Sequence, residues 1–183
     1  MEMTRYHPLL VALHWVLAFM ILLALIVGGP TLADMANTDP EKMFGLTGHM
    51  IWGMVIGTLL IVRIIVKMRS KNPPKADAKN AVLNLGAQAA HWGLYLLTAA
   101  MVMSGVGTAI NAGLFGIIFG GNGQPIPADL MQFAPRVAHG FIANLMLALI
   151  ILHVLGWAYH QFILRDKLIS RMWFGKRDGG KNQ

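Results

Sequence analysis

Apolar residues in this chain occur in four long runs, at about residues 9–27, 48–68, 83–110 and 137–163, and none of the runs contains a carboxylate. Runs of about 20 apolar residues have the length of a transmembrane helix. The connections carry helix-breaking sequences, namely Gly-Pro and Asn-Thr-Asp-Pro, then Asn-Pro-Pro, then Gly-Gly-Asn-Gly and Pro-Ile-Pro. The pattern predicts an all-α membrane protein whose residues 1–183 form one domain, a bundle of four transmembrane helices.

The distribution of charge predicts how these helices cross the membrane. Only 13% of the residues are charged, against 56% hydrophobic, and the net charge is +7. Twelve cations flank the spans on one side, with Arg63 just inside the membrane: Arg5, Lys67, Arg69, Lys71, Lys75, Lys79, Arg165, Lys167, Arg171, Lys176, Arg177 and Lys181. The other side has Lys42 and Arg136 beside four acids, Asp34, Asp39, Glu41 and Asp129. The positive-inside rule therefore places both termini in the cytoplasm. Because the cations border spans, we expect anionic lipid and no nucleic acid as their partner.

Histidines recur inside the spans at related depths. His139 and His153 are fourteen residues apart, so they share one face of the fourth helix and are separated by roughly 21 Å along it. In an alternating bundle, His14 of the first helix reaches the depth of His153, near the cytoplasm. His49 of the second helix reaches the depth of His139, near the outside. The spacing predicts two histidine pairs, each joining different helices.

Two imidazoles that face each other across a helical bundle suit the axial ligation of haem iron. We therefore expect two b-type haems, with His14 and His153 on one and His49 and His139 on the other. His91 lies toward the cytoplasm and is an alternative to one member of the inner pair. A histidine-based metal transporter is the chemical rival. It would need further ligands such as Asp, Glu or Cys, but the spans contain no internal carboxylate and the chain has no cysteine.

Polar residues other than the four ligands concentrate toward the cytoplasmic side. Arg63 follows His49 by fourteen residues, which predicts that it meets a propionate of the inner haem. An arginine that reaches the lipid headgroups is an equal alternative. His160, Arg165 and His91 are candidates for a quinone site or for further propionate contacts, because imidazole exchanges protons near neutral pH. The alternative for His160 is an interfacial polar belt.

Four segments resemble the bacterial cytochrome b561 family: YHPLLVALHW, GHMIWGMVIGTLLIVRIIVK, AAHWGLYLLTAAMVMSG and AHGFIANLMLALIILHVLGWAYHQFILRDKLISRM. Together they extend from about Arg5 to Met172, and the fourteen-residue histidine spacing is the most specific element. The resemblance implies a multi-pass bacterial inner-membrane cytochrome with two b haems. It carries the ligand positions to His14, His49, His139 and His153, and the cytoplasmic quinone region to His160, Arg165, Asp166 and Arg171.

Some members of that family are superoxide oxidases, so the resemblance implies oxidation of periplasmic superoxide and reduction of ubiquinone. The alternative is an electron-relay subunit that serves a periplasmic dehydrogenase or hydrogenase. That role needs a docking surface, and the apolar outer connection AGLFGIIFGGNGQPIPADLMQF is either such a surface or an interfacial lid. The sequence leaves open both a homodimer and a redox partner protein.

Overall fold

A computed structural model describes residues 4–175 of the chain. Its helices are α1 (Pro8–Leu23), α2 (Gly29–Asp34), α3 (Pro40–Arg69), α4 (Ala81–Asn111), α5 (Leu114–Ile118) and α6 (Ala134–Ala158). Two π-helical turns, which are wider than an α-helix, extend these helices: Ala24–Gly28 connects α1 to α2, and Tyr159–Leu164 follows α6. A 3₁₀ turn then covers Leu168–Met172. Three cations placed above on the cytoplasmic side, Lys176, Arg177 and Lys181, lie outside the described residues.

Four helical stretches are long and apolar enough to cross a membrane, namely Pro8–Asp34, Pro40–Arg69, Ala81–Asn111 and Ala134–Leu164. The predicted all-α architecture with four transmembrane helices is confirmed. Large apolar side chains point outward along them, and Phe19 and Leu155 are 63% and 59% exposed. A helix that is apolar on its outward face is suited to lipid.

The helices are longer than the apolar runs predicted, most clearly in the first connection. The first span was expected to end at about Val27, before the Gly-Pro sequence, but the helical stretch continues to Asp34. The π-helical turn carries the chain into α2, where Pro30 lies in the first turn and its missing N–H is not needed. Helix α3 begins at Pro40 because the Asp39 carboxylate accepts the Glu41 N–H at 2.8 Å. The first connection therefore shrinks to residues 35–39.

The long helices pack in the order α1, α3, α4, α6. Small residues allow these contacts, since a Cβ added to Gly57 would lie 3.0 Å from Val102 and one added to Gly93 would lie 2.8 Å from Leu149. A buried cluster of Leu17, Met20 and Ile56 joins α1 to α3. Close packing thus fixes the helix registers that set the depth of each polar residue.

The outer connection folds over one end of the bundle. Leu114 of α5 and Ile126 are buried against Ala109 and Ala112 at the end of α4. Lys42 is also buried there, and its ammonium donates to the Met35 carbonyl at 2.6 Å. The segment therefore packs onto this end of the bundle, and its role as a lid or as a docking surface stays a prediction.

At the opposite end, the chain leading into α1 is tied to the 3₁₀ turn. The Tyr6 N–H donates to the Arg171 carbonyl at 3.1 Å, and the Trp15 indole donates to the Met172 carbonyl at 2.9 Å. The Arg5 guanidinium donates to the carbonyl of Phe174 at 3.1 Å. The two ends of the described chain therefore meet on the same side of the bundle, as an even number of spans requires.

Candidate functional site

The outer end of the bundle brings together the two histidines that were paired by depth. The imidazoles of His49 on α3 and His139 on α6 have ring centroids 6.0 Å apart and planes inclined by 73°. Two metal–nitrogen bonds of about 2.0 Å each would place axial imidazole rings roughly 6 Å apart. The separation of this pair therefore fits one metal ion between the rings.

A serine on α4 fixes the orientation of the outer ring. Ser104 Oγ lies 3.0 Å from His139 Nδ1 and donates its single proton to the Met101 carbonyl at 2.9 Å. In the tautomer with the proton on Nδ1, the hydroxyl accepts from the ring, and Nε2 of His139 is left unprotonated and able to bind a metal. Ser104 precedes His139 by 35 residues, and no pattern in the sequence pointed to this contact.

The inner end of the bundle holds three imidazoles. The rings of His14 and His153 have centroids 6.3 Å apart with planes inclined by 68°. His91 on α4 lies closer to His153, with a centroid separation of 5.2 Å. That spacing is about 1 Å short for two axial ligands of one metal ion. The distances favour His14 over His91 as the partner of His153.

Glycines leave room for a flat group beside the outer pair. A Cβ added to Gly105 would lie 3.4 Å from Cε1 of His139, and one added to Gly28 would lie 3.7 Å from Nδ1 of His49. A Cβ on Gly48 or Gly53 would meet nothing within 4 Å, so α3 is bare next to His49. These glycines thus keep side chains away from the half-buried histidine pair, as a flat group such as a porphyrin would require.

Arg63 lies on the inner side, where its spacing from His49 predicted it. Its Nη1 donates to the Leu10 carbonyl at 2.7 Å, and its Nε donates to the Tyr95 hydroxyl at 3.1 Å. Lys67 lies beside it, 4.7 Å from the centre of the Tyr95 ring. Arg63 is thus held inward by protein groups, within electrostatic range of His14, and its contact with a propionate stays a prediction.

Tyr6 adds a hydroxyl to the same inner region, just before the first span. Burial raises the pKa of the Tyr6 hydroxyl, and the charges of Arg171 and Arg63 oppose this rise. The Tyr6 phenol therefore stays protonated at neutral pH and can donate a hydrogen bond. Neither Tyr6 nor Tyr95 was singled out by the sequence, where a tyrosine near a membrane boundary is common.

His160 is buried, whereas a residue of an interfacial polar belt would be exposed. It lies in the π-helical turn after α6, is only 8% exposed, and has Nδ1 2.6 Å from the Asp166 carboxylate. Two other polar atoms nearby, Nε1 of Trp157 and Oε1 of Gln161, are buried without a protein partner. Arg165 is exposed and ends the π-helical turn. The inner end therefore combines a buried imidazole that contacts a carboxylate with unsatisfied hydrogen-bonding atoms.

One cation of the outer end, Arg136, lies close to the outer histidines. Arg136 is within electrostatic range of His49, His139 and Lys42. Two of the outer acids are engaged in turns, since Asp39 accepts from the Glu41 N–H and Asp129 accepts from the Met131 N–H at 2.7 Å. Arg136 thus acts electrostatically on both outer histidines, although acids outnumber cations on this side of the chain.

Four apolar helices with histidine pairs near both ends form an arrangement that suits a membrane-spanning haem protein. The sequence profile of the Prokaryotic cytochrome b561 family matches residues 5–175 of the chain. The chain therefore belongs to that family, as the resemblance indicated. Membership implies b-type haem and places the protein among membrane cytochromes b.

Two relatives cover most of the chain at low identity. The "Probable superoxide oxidase CybB" of Yersinia pestis is 25% identical over 176 residues, which cover 94% of this chain and 98% of the relative. The "Cytochrome b562" of Cereibacter sphaeroides is 26% identical over 171 residues, which cover 91% and 94% respectively. These likenesses support an oxidoreductase that transfers electrons within a membrane.

Proposed function

We propose that this cytochrome oxidises superoxide at the outer end of the bundle and reduces ubiquinone at the inner end. In the balanced reaction, two superoxide anions lose one electron each and leave as O2. The two electrons and two protons convert one ubiquinone into ubiquinol. One observation carries the proposal. A histidine pair lies near each end of the bundle and, among the described residues, the inner end alone also has a buried histidine, His160, in contact with a carboxylate.

Four histidines of the chain would hold two b-type haems, His49 and His139 at the outer end and His14 and His153 at the inner end. Bound haem supplies one-electron transfer, which matches a donor that gives a single electron. Ser104 orients His139, and the bare face of α3 admits the macrocycle. His91 is left for a propionate or quinone contact near the inner pair.

The outer end attracts an anion because Arg136 lies beside both outer histidines. Electrostatic attraction of this kind raises the encounter rate of a small charged substrate and weakens with added salt. The proposed orientation, with both termini in the cytoplasm of a bacterial inner membrane, turns this end toward the periplasm. Superoxide that arises outside the cytoplasm would meet this surface.

The inner end is suited to quinone because quinone reduction consumes protons as well as electrons. His160, with Arg165 and His91, provides titratable or cationic groups there. The buried Trp157 and Gln161 atoms add unsatisfied hydrogen-bonding capacity at the same end. Within residues 4–175, the outer end has no histidine in an ion-pair contact with a carboxylate.

Stopped-flow spectroscopy of the haem-loaded, oxidised protein tests the proposal. Superoxide should reduce the haem, which is seen as a change in its absorption bands after mixing. A soluble ubiquinone should then reoxidise the haem. His160→Ala should retain fast reduction by superoxide and slow the reoxidation, while Gln88→Ala, an exposed change elsewhere on the cytoplasmic side, should alter neither step. Superoxide that decays no faster with the protein than without it would refute the assigned donor.

An electron-relay subunit is the second candidate, because apolar side chains are exposed at the outer end. Phe44 is 85% exposed and Phe119 is 49% exposed, as expected of a surface that receives a partner protein. The relay role predicts haem reduction by that partner and slow reduction by superoxide. The metal-transport alternative gains no support, since no three side chains of His, Asp or Glu within residues 4–175 gather to hold an ion.

A further inference from the structure

The chain makes an unusual turn directly after the proposed quinone-side histidine. Helix α6 widens into the π-helical turn Tyr159–Leu164, and the backbone then becomes left-handed at two positions, Arg165 with φ 56° and Lys167 with φ 53°. Residues that have a Cβ rarely adopt this conformation, because it costs free energy. Such strain persists where surrounding contacts hold it and is frequent near functional sites.

Asp166 lies between the two strained residues and is turned back onto His160. Its Oδ2 is 2.6 Å from His160 Nδ1, and its backbone N–H donates to the His160 carbonyl at 3.3 Å. Its second oxygen, Oδ1, accepts the Leu168 N–H at 3.1 Å. Both carboxylate oxygens are therefore occupied, and the side chain cannot rotate without breaking one of these bonds.

This contact determines which nitrogen of the ring remains available. An ionised carboxylate only accepts hydrogen bonds, so His160 Nδ1 must be the donor. Nε2 is left as the atom that can hold or give up the exchangeable proton. The same division of roles operates where a buried carboxylate fixes the tautomer of a catalytic histidine and stabilises its protonated form.

Other charged groups near this ring are not in direct contact with it. Arg165 and Lys167 flank the carboxylate in sequence and are exposed. Asp77, on the connection between α3 and α4, lies within electrostatic range of His160. Asp77 is exposed, and its pKa is lowered mainly by the hydrogen bond from the Asn84 side chain and also by that from the Lys79 N–H. Asp166 is the acid in direct contact, in the one ion-pair geometry found within residues 4–175.

We propose that Asp166 is the positioning residue of quinone reduction, holding His160 so that Nε2 delivers a proton to a quinone oxygen. This inference rests on the proposed function, because it needs quinone to react at the His160 end. Each turnover takes two electrons, one from each of two superoxide anions, and also consumes two protons. His160 passes one of those protons from Nε2 to the quinone oxygen and regains a proton from cytoplasmic water, so Asp166 itself is unchanged.

Four variants of the haem-loaded protein test this role: Asp166→Asn, Asp166→Glu, His160→Gln and the double variant Asp166→Asn with His160→Gln. For each variant we would measure the haem spectrum, the rate of superoxide-driven haem reduction, and kcat and KM for a soluble ubiquinone. Asp129→Asn is the matched control, because Asp129 also accepts the N–H two residues ahead of it but lies at the outer end.

Asp166→Asn should lower kcat for quinone by roughly ten- to a hundredfold, the range for losing a carboxylate that orients a functional histidine. KM and the haem spectrum should change little. Asp166→Glu, which keeps the charge, should recover part of the loss. The double variant should be no slower than His160→Gln, because Asp166 acts only through that ring. Asp129→Asn should retain the parent kcat.

The outcomes distinguish a failure of the role of Asp166 from a failure of the proposed quinone site. A slow His160→Gln together with a normal Asp166→Asn overturns the role of Asp166 and leaves the quinone site at His160 intact. Additive losses in the double variant overturn it as well, since they show independent action. A normal His160→Gln removes the quinone site itself. Loss of haem from Asp166→Asn would make the carboxylate an element of folding and would also overturn the assignment.

Discussion

The hydroxyl of Ser104 lies 3.0 Å from Nδ1 of His139 and gives its own proton to the Met101 carbonyl. This relationship favours the imidazole tautomer with the proton on Nδ1 and involves no charged partner, because a hydroxyl that donates elsewhere accepts from the ring. The inner end of the bundle achieves the same result for His160 with a carboxylate. The two ends thus prepare histidines by different means, a neutral acceptor where a metal would bind and an anion where a proton would move.

Ser104→Ala should retain both haems but raise the midpoint potential of the outer haem. Loss of the hydrogen bond at Nδ1 makes the imidazole a weaker donor to iron, which disfavours the oxidised metal. Haem affinity at this end should fall by about tenfold, the lower part of the range for such partners. A redox titration followed at the haem bands measures the shift. Thr98→Ala is the control, because the Thr98 hydroxyl bonds only to its own helix, at the Leu94 carbonyl.

Each proposed ligand should be required for one haem. Replacement of His49, His139, His14 or His153 by alanine removes one of two axial nitrogens, so each variant should lose about one haem equivalent or become high-spin. His91→Ala should keep two low-spin haems, since its spacing from His153 is short for a shared metal. Haem content per chain and the optical spectrum of each variant show which histidines are required. Full content in both His49→Ala and His139→Ala would remove the outer site.

Arg136 should accelerate the encounter with superoxide. Arg136→Gln should slow superoxide-driven haem reduction by roughly tenfold at low ionic strength, and the remaining rate should depend less on salt, because steering by the cation is lost. Quinone turnover with a chemical reductant should not change. Arg69→Gln alters charge at the inner end and serves as the control. Equal slowing by both variants would point to a general effect of net charge instead of local attraction.

The membrane orientation has its own test. Reporter fusions after Lys79 and after Gln183 should be active on the cytoplasmic side, and fusions at Asp39 and Gly123 should be active on the periplasmic side. The reason is the excess of lysine and arginine on the segments around the first two of these positions. A carboxyl terminus found in the periplasm would exchange the two ends of the bundle and reverse the direction proposed for the electrons.

Sequence reasoning reached the long-range features of this fold because they follow from helical periodicity. Depth along a helix depends only on rise per residue, so the pairing of His14 with His153 and of His49 with His139 could be predicted from counting. The apolar runs likewise located four spans. In these respects the membrane reduces the number of possible structures, since helices must cross it from side to side.

The features that were missed depend on local backbone geometry and on which side chains meet. The π-helical turn before Gly29 allows α2 to continue through a Gly-Pro sequence, which the rules for helix ends do not anticipate. Ser104 reaches His139 only because α4 and α6 pack in one register. Asp166 reaches His160 through two left-handed residues, Arg165 and Lys167, that no propensity would assign.

Both histidine pairs draw one member from α6, and this has a consequence for biogenesis. His139 and His153 are the last of the four proposed ligands to be synthesised, so a nascent chain that has inserted three spans holds only half of each coordination set. Neither haem could be secured by two axial nitrogens until the final helix has entered the membrane. The cofactors would then be captured at the end of assembly, and any chain truncated before α6 would be left without a stable site for either.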